Sequence, residues 1–118
     1  MNLKEYQKEA KRTCPDLGDN EIDNVHMLFG MSTEVGELQD IYKKTIAYKK
    51  PLDKAHIKEE LGDLMWYIIN FCSINNFDLE AILDTNISKL KTRYPDKFTT
   101  EAALNRDLDK EDKVLGKK

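Results

Sequence analysis

Two pairs of carboxylates, in Glu34-Val35-Gly36-Glu37 and in Glu60-Leu61-Gly62-Asp63, sit inside strongly helical sequence on the side that ought to be apolar. Residues three apart share a face of a helix that advances about 100° per residue, so each pair points one way. Around Glu34 that face carries Met27, Met31, Val35, Leu38, Ile41 and Tyr42, while Ser32, Thr33, Gln39, Asp40 and Lys43 fall opposite. Glu34 lies within the apolar stripe and Glu37 on its edge. Around Glu60 the stripe holds Ile57, Leu61, Leu64, Tyr67, Ile68 and Phe71, with Asp63 at the margin. An isolated buried carboxylate costs several kcal/mol and normally neutralises. Four converging ones call for a cation, and a hard divalent ion with oxygen ligands, above all Mg²⁺, answers that need.

At 118 residues the chain is long enough to bury a core as one domain. Its 35% charged and 40% hydrophobic residues, with only 5 Gly and 3 Pro, favour an all-α protein. A net charge of -3 argues against a grip on nucleic acid, which needs a basic face. The longest apolar run, Leu64 to Ile69, is too short to span a membrane, and Met1–Glu5 has no apolar signal region. Cys14 and Cys72 are too few for a disulfide framework and lack zinc-site spacing. A reducing, cytoplasmic setting is expected.

Periodicity and caps predict helices over about 3–12, 20–48, 54–74, 79–94 and 100–106, an antiparallel bundle of four to five helices. Asp19 or Asn20, Asp53, Asp78, and Thr99 or Thr100 are the expected N-caps. Cys14-Pro15-Asp16-Leu17-Gly18 breaks the chain after the first helix, and Pro95 stops the fourth. The reading is one domain over residues 1–106 and a flexible charged tail over 107–118, where apolar residues are sparse. The two carboxylate helices are consecutive and joined by a short loop, so their acids should face a common interior.

The fourth helix bears donors on its apolar side. Asn86, Lys89 and Arg93 stand at i, i+3 and i+7 in a stripe with Leu79, Ile82, Leu83, Ile87, Leu90 and Tyr94. Such a ladder suits phosphate oxygens, yet the same residues could snorkel to water or pair with acids of the core. Bland readings exist for the carboxylates too, since a Glu pair on a helix is ordinarily solvated. A non-enzymatic helical oligomerisation module is one alternative. Another is a di-metal carboxylate oxidoreductase, suggested by His26 and His56 each following an aspartate (Asp23, Asp53) by three residues. Neither His continues an acidic element, and the fourth helix offers cations rather than acids.

Glu34-Val-Gly-Glu37, a gap from Leu38 to Glu59, then Glu60-Leu-Gly-Asp63 resembles the ExxE…ExxD signature of the MazG-like all-α nucleoside triphosphate pyrophosphohydrolases. The surroundings Leu28-Phe-Gly-Met-Ser-Thr-Glu-Val-Gly-Glu-Leu38, Glu59-Glu-Leu-Gly-Asp-Leu-Met-Trp-Tyr67 and Asn86-Ile-Ser-Lys-Leu-Lys-Thr-Arg-Tyr-Pro95, followed by Phe98, are similar to that family as well. The resemblance implies that Glu34, Glu37, Glu60 and Asp63 bind Mg²⁺, with Mn²⁺ able to substitute. It implies that Asn86, Lys89 and Arg93 contact a triphosphate and that Tyr67 lines the nucleotide pocket. It further implies a homodimer or homotetramer cleaving nucleoside triphosphates, dNTPs foremost, between the α- and β-phosphates to clear unwanted nucleotides. Glu37 is then the expected proton acceptor. Oligomerisation agrees with apolar residues outside the main stripes, such as Phe29 and Trp66. One departure is Thr33, where many members of the family carry a second Glu before the first element. Thr33 falls on the outer side of the wheel, so metal binding should survive its presence.

Overall fold

The computed structural model describes residues 1–117, and every regular element among them is helical. The helices are α1 (Leu3–Arg12), α2 (Asn20–Ala47), α3 (Lys54–Ile74), α4 (Leu79–Arg93), α5 (Thr100–Leu104) and α6 (Leu108–Val114). The all-α class is what the chain adopts. It divides into two compact units, Met1–Phe77 with α1 to α3 and a second, from Asp78 onward, with α4 to α6.

Each helix starts where a side chain satisfies the free N–H groups of its first turn. Asp19, rather than Asn20, accepts from Glu21 and Ile22; Asp53 accepts from His56, Asp78 from Glu80, and Thr99, rather than Thr100, from Ala102. Asn2 and Glu5 make a reciprocal capping box at α1. These are local effects, which explains why the starts could be read from sequence.

In the first unit α2 and α3 form an antiparallel hairpin. Asn24 pairs with Asn75 at 2.7 Å, Gly30 meets Tyr67, and Glu37 approaches His56, so rising numbers on α2 meet falling numbers on α3. Met27 and Ile69 are fully buried between them, with Ile41 and Cys72 nearly so. Truncating either Met27 or Ile69 to Ala would cost about 2–5 kcal/mol. A Cβ on Gly30 would overlap the edge of the Tyr67 ring, so glycine is what lets the helices approach this closely. Helix α1 lies on α3 through polar contacts. Gln7 donates to Ser73 Oγ at 2.9 Å, Asn70 to the Ala10 carbonyl at 3.3 Å, and the Trp66 indole to Thr13 Oγ1 at 2.8 Å.

The second unit corrects the expected tail. Residues 108–114 form α6 instead of fraying, capped by Asp107, and Glu111 is buried at 1% exposure of its side chain. Its carboxylate accepts from Arg93 on α4 at 2.7 Å and from Arg106 at 2.9 Å. The segment is anchored by a buried charge cluster and not by an apolar stripe, so hydropathy could not reveal it. Along α4, Ile82, Leu83 and Ile87 remain about half exposed.

Candidate metal centre

The hairpin brings the two carboxylate pairs together. Oxygens of Glu34, Glu60 and Asp63 lie within 4.8 Å of one another, and so do ligand atoms of Glu37, His56 and Glu60. Glu60 belongs to both groups. Burial follows the order that the helical wheel implies: Glu60 is 6% exposed, Glu34 half-buried, and Glu37 and Asp63 exposed. Residues centred in the apolar stripe went inward, and those at its margin kept contact with water.

Crowding of like charge shows in Glu34, whose pKa is pushed up to about 7. A hydrogen bond with Glu60 that favours the protonated form is the first cause, followed by burial and by the negative charges of Glu60, Asp63 and Glu37. Either a shared proton or a cation relieves that repulsion. The donors are carboxylate oxygens set a few ångströms apart on two helices, and this set fits a hard divalent cation.

His56 was not among the site residues read from sequence. Its Nε2 stands 3.0 Å from Glu60 Oε1, across one helical turn. The i, i+4 spacing of His56 and Glu60 is the sequence signal for this contact, and it is a different spacing from that of the aspartate three residues before each histidine. Those aspartates work elsewhere: Asp23 accepts from the Leu17 N–H at 2.9 Å, and Asp53 caps α3. His26 meets the Tyr67 ring edge-on, 6.2 Å between centroids.

Tyr67 packs against Gly30 and meets Trp66 edge-on at 5.0 Å, one turn beyond Asp63. Near the acids a separate apolar cleft of about 460 Å³ opens between Leu3, Tyr6, Gly62 and Met65. Tyr6 is close enough to the centre that, after burial, the Asp63 charge is the next cause raising its phenol pKa. Thr33 is exposed, and its hydroxyl donates to the Gly30 carbonyl at 2.9 Å. On α4 of the second unit, Asn86 is exposed, Lys89 half-buried, and Arg93 held by Glu111. Pairing with an acid, one of the options left open for that ladder, is what Arg93 does here.

An all-α chain whose consecutive antiparallel helices carry ExxE and ExxD turned toward one another defines a class. Residues 24–98 match the MazG nucleotide pyrophosphohydrolase domain, and the chain belongs to that family. It is similar to the Gene 37 protein of Mycobacterium phage L5, at 26% identity over 101 residues covering 79% of this chain and 89% of the phage protein. No solved structure matches the chain significantly. No helix among the described residues is long and apolar enough to cross a membrane.

Proposed function

We propose that the chain hydrolyses nucleoside triphosphates, dNTPs foremost, between the α- and β-phosphates, releasing a nucleoside monophosphate and pyrophosphate. Its role would be to clear unwanted nucleotides in the cytoplasm. The observation that carries this reading is the convergence of Glu34, Glu60 and Asp63 within 4.8 Å across α2 and α3, in a chain of the MazG family. These residues and Glu37 would hold Mg²⁺, or Mn²⁺ in its place. Bound there, the ion supplies Lewis acidity to phosphate oxygens and makes water a better nucleophile at neutral pH.

The chain's own residues do the rest. Glu37, exposed at the edge of the cluster, would accept the proton of the attacking water. Asn86 and Lys89 contact the triphosphate. Arg93 joins them only by exchanging the Glu111 carboxylate for a phosphate, two anions that a guanidinium binds in the same forked manner. Tyr67 and the cleft at Leu3, Tyr6, Gly62 and Met65 are the candidate walls for the base. The active form is a homodimer or homotetramer.

A panel of NTPs and dNTPs with Mg²⁺ tests the reading through pyrophosphate release. Loss of even an outer-shell partner weakens metal sites about 10–100-fold, so Glu34→Gln and Asp63→Asn should each lower the rate by more than about 100-fold. Their helical circular dichroism should stay intact. Absence of pyrophosphate from every nucleotide, or full rates in both variants, would refute it.

A further inference from the structure

His56 has no task in the chemistry above, yet it is placed as a ligand would be. Asp53 Oδ1 accepts from the His56 N–H at 3.0 Å, which fixes the first turn of α3 and sets the ring one turn before Glu60. From there Nε2 reaches Glu60 Oε1 at 3.0 Å, and ligand atoms of Glu37, His56 and Glu60 lie within 4.8 Å of one another. The neighbouring group of Glu34, Glu60 and Asp63 meets the same limit. One nearly buried carboxylate thus joins two three-donor corners, the first all oxygen and the second two oxygens and an imidazole nitrogen. Lys44 lines the cleft beyond the imidazole, together with Lys50, and is tied to Asp40 at 2.8 Å.

The two corners suit different ions. Mg²⁺ prefers oxygen ligands and keeps much of its water, whereas imidazole suits transition-series ions, Zn²⁺ and Fe²⁺ foremost, and Mn²⁺, which also takes carboxylates, accepts a nitrogen ligand more readily than Mg²⁺ does. We infer that Glu37, His56 and Glu60 form a second cation subsite, sharing Glu60 with the all-oxygen one, and that His56 makes this subsite take Mn²⁺ in preference to Mg²⁺. The inference rests on the reading of the acids as a metal centre. A simpler role for His56, orienting Glu60 by hydrogen bonding, would influence every ion alike.

The discriminating experiment titrates the full chain with Mn²⁺ and with Mg²⁺, without nucleotide, by calorimetry and by the Mn²⁺ spin-resonance signal. In the wild type Mn²⁺ should bind at two sites per chain and more tightly than Mg²⁺. His56→Ala should lose one Mn²⁺ and reduce the Mn²⁺-over-Mg²⁺ affinity ratio by about tenfold or more. His56→Glu, which makes both corners all oxygen, should keep two ions and still lose the preference. Circular dichroism checks that each variant folds. An unchanged ratio in both variants overturns the inference, as does an equal loss for both ions in His56→Ala, and either result leaves the metal centre standing. A wild type that binds neither ion removes the metal centre itself, and the second subsite with it.

Discussion

Glu60 and Gly30 show what single residues contribute to this hairpin. The carboxylate spacing was legible because three residues on a helix is a fixed angle, and the apolar neighbours of Glu34 and Glu60 told which way that angle points. The His56–Glu60 contact is less legible, since it depends on how two side chains one turn apart on the same helix are turned. Arg93 was ambiguous for a related reason: its partner Glu111 stands 18 residues on, in sequence without an apolar stripe. Gly30 offers a direct check of the α2–α3 contact. Gly30→Ala places a methyl group where the Tyr67 ring lies, and overpacking of this kind costs about 1–3 kcal/mol despite the better helix propensity of alanine. The urea midpoint should fall accordingly. A midpoint at or above that of the wild type would mean that the helices do not approach as described.

At the level of elements, the helix starts were legible because capping depends on one or two side chains, as at Asp53 and Asp78. Helix α6 was not, because Glu111 is held inside by Arg106 and Arg93. Their hydrogen bonds lower its pKa from 4.5 to about 2 in the folded chain. A carboxyl depressed in this way stabilises the fold fully above its unfolded value, and the contribution disappears as the pH falls from about 4.5 toward about 2. Glu111→Gln leaves two guanidinium groups without their anion, and its melting temperature at neutral pH should drop by on the order of 10 °C. The difference between variant and wild type should shrink as the pH is lowered through that window. A difference that stays constant with pH would show that the charge of Glu111 is not what holds α6.

For the whole molecule, the all-α class was legible from composition and period, but the division after Phe77 was not, because Asn75–Phe77 resembles any short helix connection. Trp66, an apolar residue outside the main stripes, is engaged within the chain by Thr13 and Tyr67. Phe29 remains 69% exposed and Ile46 76% exposed on α2, apolar surface that the proposed oligomer would cover. Phe29→Glu should shift the sedimentation coefficient toward the monomer, and an unchanged coefficient would move the interface elsewhere. A cation bridging α2 and α3 through Glu60 would tie the site to the fold. The most direct test is urea unfolding of wild type and Glu60→Gln with and without Mg²⁺. Wild type should gain stability with Mg²⁺, by about 2.7 kcal/mol at a hundredfold excess over the dissociation constant, while Glu60→Gln should be indifferent to the ion. Equal gains in both proteins, or none in the wild type, would contradict it.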